Sequence, residues 1–168
     1  LAMVRGRPGT FLEMGALDGN YFSTSNLFET CYNWTGVLIE GNLRNFHKLE
    51  RSERPRATKL WASVCDFNGT IPMTVRGGEM ALRPDLVGDA AAQRFAAWKM
   101  DLSRQSETVD TPCAPLPTLL SRAGFPGGVD FFSLDVEGAE EIVMRTVDPQ
   151  IFKVLMVEKG VDKEVDQR

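Results

Sequence analysis

Two arrangements of apolar and polar positions recur along the chain. Short continuous apolar runs each carry or meet an acid: Thr10–Met14 around Glu13, Gly36–Glu40, Lys59–Cys65 stopped by Asp66, Val129–Leu134 before Asp135, and Lys153–Glu158. Runs of this length are the pattern of buried parallel strands. Between them the apolar spacing turns helical. Tyr21–Tyr32 is predicted as a helix with Leu27, Phe28 and Cys31 toward the core and Ser23 or Thr24 as its cap. Asn42 is placed to cap a second helix, in which Leu43, Phe46 and Leu49 share a face and which Arg54-Pro55 ends. Pro115 and Pro117 bracket the start of a helix over Thr118–Ala123, closed by Gly124, and Glu137–Val147 is predicted as the helix before the last strand. Strands alternating with helices imply an α/β fold, a mostly parallel sheet with right-handed crossovers.

One region breaks the alternation. Asn68-Gly69 is a turn signal, and Thr70–Arg76 after it reads as a strand. From Gly77-Gly78 to about Asp110 the pattern is irregular, with a short helix expected over Ala90–Met100. This stretch, about 77–110, is expected to be an insertion in a single domain covering 1–168, a length that one core can serve.

The hydrophobic share of 43% and charged share of 25% are those of an ordinary globular chain. A net charge of −4 lacks the basic footprint of a nucleic-acid binder. No apolar run approaches the roughly 20 residues of a membrane span. Cys31, Cys65 and Cys113 are odd in number and widely spaced. They form neither a disulfide framework nor a zinc pattern, so reduced thiols, mostly in the core, are expected. That favours the cytoplasm. Asn33-Trp34-Thr35 and Asn68-Gly69-Thr70 match the glycosylation sequon and keep a secretory location open. The chain lacks an initiator Met and a signal peptide, which suggests a fragment.

The candidate chemistry starts at TFLEMGALDG, Thr10 to Gly19. A strand ending in a glycine-spaced turn before a helix is the opening of a nucleotide-binding α/β unit. The spacing Glu13-x-Gly15, then Asp18 and Gly19, differs from the dinucleotide fingerprint Gly-x-Gly-x-x-Gly. An acid before the first glycine repels a pyrophosphate and suits a ligand with an ammonium group, such as the methionine part of S-adenosylmethionine. Ligands of parallel sheets bind outside the carboxyl ends of the strands. Here those ends carry Glu13, Glu40, Asp66, Asp135 with Glu137, and Glu158. One such acid is ordinarily a helix cap or a solvated charge; a set of them points to a site. Glu40, roughly 20 residues past the glycine turn, is placed to accept hydrogen bonds from both ribose hydroxyls of an adenosine ligand. With no ligand it would only favour the dipole of the next helix. Asp66 could reach an adenine amino group, or simply serve the Asn68-Gly69 turn.

FLEMGALDG (Phe11–Gly19), WTGVLIEGN (Trp34–Asn42), SVCDFNGT (Ser63–Thr70), DFFSLDVEGAE (Asp130–Glu140) and VLMVEK (Val154–Lys159) together resemble the FkbM family of S-adenosylmethionine-dependent methyltransferases. The Ser133–Glu140 block is the most specific of them. The resemblance implies a Rossmann-like class I methyltransferase sheet, strand order 3-2-1-4-5. It implies that Glu13, Gly15, Asp18 and Gly19 line the methionine and ribose side of the cofactor. Glu40 would hold the ribose, and Asp66 with Cys65 beside it would border the adenine. Asp135 and Glu137 would face the methyl-transfer centre. The acceptor implied is a hydroxyl on a sugar or natural-product-like small molecule or glycan. Two features depart from the family. Ser25-Asn26-Leu27 stands where Ser-Asn-Thr is usual, and the chain stops ten residues after Glu158, without the antiparallel hairpin that completes a class I sheet.

Methyl transfer from a sulfonium is an in-line displacement, to which a protein contributes positioning and electrostatics. A hydroxyl acceptor needs a base. His47, the only histidine, falls mid-helix and is expected on the solvated surface. Asp135 is the candidate base and Glu137 the group that positions the acceptor; two acids so close push one pKa upward, toward the range a base needs. Without a substrate, the pair would order the strand–helix turn. A divalent ion gathered by Asp135, Glu137 and Glu158 is a lesser alternative, since no dedicated metal motif is present. The rival from another class is a non-catalytic interaction module on the same fold. A dehydrogenase is disfavoured by the missing Gly-x-Gly-x-x-Gly. The acceptor choice is expected to rest with Gly77–Asp110, and the oligomeric state is open.

Overall fold

A computed structural model of the chain describes residues 7–74, 108–125, 127–137 and 139–158. The central strand is β1, Thr10–Met14, whose Phe11 and Leu12 are fully buried. It lies between β2 (Thr35–Glu40) and β7 (Val129–Leu134), parallel to both. β3 (Ala57–Trp61) adds beyond β2 and β8 (Phe152–Val157) beyond β7, again parallel. The order β3-β2-β1-β7-β8 is 3-2-1-4-5 when the five strands are counted along the chain. The fold is α/β and Rossmann-like.

Strand alternation sends successive side chains to opposite faces. On one face Leu12, Met14, Val37, Ile39, Phe132 and Leu134 pack with Leu116, Leu119 and Leu120 of helix α3 (Leu116–Arg122) and Val143 of α4 (Glu140–Arg145). On the other, Phe11, Leu38 and Phe131 pack with Trp34, with Phe28 of α1 (Asn26–Tyr32) and with Leu49 of α2 (Leu43–Glu50). Asn42 caps α2 as expected: its side chain accepts the Asn45 N–H at 3.1 Å.

The first helix is shorter than its pattern. Residues 20–25 are held as a loop by two carboxylates, so the helix starts at Asn26, after Ser25, without a side-chain cap from Ser23 or Thr24. Of its expected core residues only Phe28 packs inward, stacked on Trp34; Leu27 and Cys31 are exposed. The predicted strand Lys59–Cys65 divides in two. β3 ends at Trp61, and β4 (Ser63–Val64) leaves for a second, three-stranded sheet with β5 (Gly69–Thr74) and β6 (Thr108–Ala114). β6 was not legible as a strand. It pairs parallel with β4 and antiparallel with β5. The expected helix Ala90–Met100 and most of the insertion lie outside the described residues. The expected helix at Glu137 begins instead at Glu140, because Glu137 itself has a left-handed φ of 55°.

The cysteine expectation is overturned. Cys65 and Cys113 form a disulfide with Cα atoms 5.7 Å apart, within the ordinary range for such a bond. They were missed because 48 residues separate them and no motif marks the pair. Among the described residues no helix is long and apolar enough to cross a membrane.

Candidate functional site

The main sheet opens at its carboxyl edge into a cleft of about 500 Å³. Its floor is the last residues of β1, β2 and β7. Its side wall is Ala62–Val64 and Met73, where the chain passes from the main sheet to the small one. Glu13, Glu40, Asp135, Glu137 and Glu158 line it, and among the described residues no Lys or Arg does. That is a size suited to a small-molecule ligand and a field suited to a cation.

Glu40 ends β2 and is buried. Its Oε2 accepts the Leu17 N–H at 2.8 Å and its Oε1 the Asn42 N–H at 2.8 Å. The Gly41 N–H also acts on this carboxylate, whose lone-pair sites exceed the three backbone donors. Burial raises its pKa to about 7 against the opposing pull of these amides.

Glu13 lies one strand over and is also buried. It gathers the loop after the glycine turn. Its carboxylate accepts from Ser23 Oγ at 2.7 Å, Thr24 N–H at 3.0 Å, Ser25 N–H at 3.3 Å, and from the Ser25 hydroxyl. Behind it stands Arg54, fully buried, which the sequence offered only as a helix stop. Its guanidinium donates to Ser23 Oγ at 2.9 Å, to Ser25 Oγ at 2.8 Å, to the Gly19 carbonyl and to Glu29. It lies over the Phe11 ring, 5.5 Å from its centre. Ser25 therefore joins the Arg54–Glu29 pair to Glu13, and the loop wall of the cleft hangs on that chain. Neither Arg54 nor Glu29 carried a motif; the sole hint was Glu29, set between Leu27-Phe28 and Cys31-Tyr32, while Arg54 stands in a polar run.

Asp135, Glu137 and Glu158 form the other end. One carboxylate oxygen from each lies within 4.8 Å of those of the other two. Partial burial pushes the Asp135 pKa up to about 6, helped by the charge and hydrogen bond of Glu158 and by the charges of Glu140 and Glu13. Three hard oxygens at this spacing could share a divalent cation.

Gly15 makes the junction. With φ 79° it turns the chain out of β1, and a Cβ there would sit 1.8 Å from the Asp135 carbonyl oxygen. Three residues with left-handed φ other than glycine, Leu17, Phe22 and Glu137, also line the cleft. Strained backbone of this kind collects at ligand sites.

The structure thus brings Glu13, Gly15, Glu40, Asp135 and Glu137 to one cleft. It sets the other sequence candidates apart. Asp18 accepts the Asn20 and Tyr21 N–H groups at 2.9 and 2.7 Å and shapes the loop. Gly19, φ 80°, is packed against Leu49. Cys65 is tied into the disulfide, and Asp66 is exposed on the β4–β5 bend. None of these four lines the cleft. His47 is on the surface, 56% exposed and 4.0 Å from Glu50.

A parallel sheet of this order, with an acid-lined cleft at its carboxyl edge, is consistent with a Rossmann-like methyltransferase. The chain belongs to the FkbM methyltransferase family: the Methyltransferase FkbM domain matches residues 13–167. No curated protein and no solved structure gives a significant match. Methyltransferases of this kind use S-adenosylmethionine as their usual cofactor. Its charge suits the cleft, since the sulfonium and ammonium are cations and no basic group among the described residues lines it. The Thr24 Oγ1, on the cleft wall, is buried with no partner among the described residues, and the Glu40 carboxylate has acceptor capacity left for a ribose hydroxyl.

Proposed function

We propose that the chain is a single-domain O-methyltransferase that takes its methyl group from S-adenosylmethionine and delivers it to a hydroxyl on a sugar or natural-product-like small molecule or glycan. The observation that carries this reading is the lining itself: five carboxylates and, among the described residues, no basic side chain around a cleft at the carboxyl edge of the sheet. A phosphate-bearing cofactor would be repelled there, and a sulfonium is attracted.

When bound, the cofactor supplies an electrophilic methyl group. The rest falls to the protein. Glu40, at the β2 end, accepts from the ribose hydroxyls. Glu13 and Thr24, at the β1 end, face the methionine part, and Gly15 lets the backbone of β1 and β7 close to form the floor. Asp135 takes the proton of the acceptor hydroxyl, and its raised pKa of about 6 lets it do so near neutral pH. Glu137 accepts a hydrogen bond from the acceptor and orients it. A second reading, in which Asp135, Glu137 and Glu158 share a divalent cation that polarises the hydroxyl, is favoured by their 4.8 Å grouping.

The test is transfer of a labelled methyl group from S-adenosylmethionine to a panel of hydroxylated acceptors, with Asp135→Asn beside the parent. Turnover should fall by about 10²- to 10⁴-fold in the variant, with donor affinity kept. Equal turnover by the variant would contradict the assignment. Loss of transfer on adding a chelator, restored by magnesium, would select the cation reading.

A further inference from the structure

We infer that Asn68 is an N-glycan acceptor and that the chain matures in an oxidising, glycosylating compartment. Two separate features support this. The first is the Cys65–Cys113 disulfide. Forming it takes two electrons and two protons from two thiols, which requires a disulfide-bearing oxidant of the kind found where secreted proteins fold. Cys65 and Cys113 are 6% and 1% exposed, so the finished bond is shielded from dithiol reductants and is structural rather than a switch.

The second is the sequon Asn68-Gly69-Thr70, which the proposed activity leaves unused. Residues 66–70 are all exposed, on the bend that enters the edge strand β5. The carbonyl oxygen of Asn68 meets Arg122 Nη2 at 3.5 Å; that contact engages Oδ1 and leaves the amide nitrogen to react. Thr70 stands opposite Pro112, which has no N–H to hold it in the ladder. The Phe67 ring, 49% exposed, lies across Gly69, within 3.0 Å of where a Cβ would be. A bare aromatic face beside the acceptor is a surface for the first sugar of a glycan to cover.

The other sequon is built differently. Asn33 closes α1 in the left-handed region with φ 57°, Trp34 is buried, and the Thr35 N–H bonds the Gly9 carbonyl at 3.2 Å. Its backbone is committed to the helix end and to β2.

The transfer balances. Asn68 Nδ2 bonds to the anomeric carbon of a lipid-pyrophosphate-linked oligosaccharide; the anomeric C–O bond breaks, the lipid pyrophosphate leaves, and the amide nitrogen gives up one proton. No residue from 66 to 70 lines the cleft, so the glycan leaves it open.

The test is to direct the full chain through the secretory pathway of a eukaryotic cell and map the secreted protein by peptide mass, with glycosidase release in heavy-oxygen water and alkylation without reduction. Expected are a heavy-oxygen label at Asn68, no label at Asn33, and protected Cys65 and Cys113. Asn68→Gln and Thr70→Ala should both lose the glycan while Thr70→Ser keeps it, which separates the sequon from any folding defect. Secreted protein with Asn68 unmodified, or with free thiols at 65 and 113, would overturn the inference.

Discussion

The Arg54 guanidinium and the Glu29 carboxylate lie 2.5 Å apart with 0% and 3% of their side chains exposed. A buried pair of this kind contributes little net stability when intact, because desolvation offsets the attraction, but it is costly to break. Here it also holds position. Arg54 reaches Ser23 and Ser25, which reach Glu13, so a pair on the far side of the loop sets one wall of the cleft.

Removing one partner should therefore do two things. Arg54→Met should lower the free energy of unfolding by about 3–5 kcal/mol, since Glu29 is left buried and uncompensated. The double variant Arg54→Met, Glu29→Leu should recover much of that stability without restoring cofactor affinity, because the Ser23 and Ser25 contacts stay lost. Urea denaturation with ligand titration of both variants checks this. Full recovery of affinity in the double variant would show that the guanidinium does not position the loop.

Glu40 gives a pH signature with a definite sign. Its pKa is raised from 4.5 to about 7 by burial, so between those values the folded state binds the proton more tightly than the unfolded one. Its contribution to stability is greatest below about pH 4.5, falls by roughly 3 kcal/mol as pH rises through about 7, and is flat above. A diol donating to the carboxylate prefers the ionised form, so affinity for an adenosyl ligand should rise over the same upper range. Glu40→Gln should flatten both profiles. Denaturation and binding measured between about pH 5 and about pH 8 separate the two trends.

Gly15→Ala forces a Cβ to within 1.8 Å of the Asp135 carbonyl at a φ that side chains avoid. The β1 and β7 ends must separate. A loss of more than about 1 kcal/mol in stability is expected, with weakened donor binding and slowed transfer. A variant of parental stability and affinity would mean that the junction yields without cost.

The inner strands β1, β2 and β7 were legible because each is a short apolar run bounded by an acid or a turn, as strands buried on both faces must be. The outer β3 and β8 were found too, but the run predicted for β3 extends into β4. Glu13, Glu40 and Asp135 were legible for the same reason: the strand ends fix where they stand. What could not be read depends on pairing at a distance. Arg54 and Glu29 look like surface charges until the fold joins them across 25 residues. Cys65 and Cys113 look like unrelated thiols until β4 and β6 pair. The overlong first helix failed because the Glu13 and Asp18 carboxylates outbid helical hydrogen bonding over residues 20–25, which periodicity does not register.

The most direct test of the cofactor site is calorimetric titration of the chain with S-adenosylhomocysteine, beside Glu40→Ala. Binding by the parent that the folded variant loses is the predicted result, and it would leave the acceptor as the open question. No binding by a folded parent would contradict the adenosyl-site assignment and leave a family fold that serves another purpose.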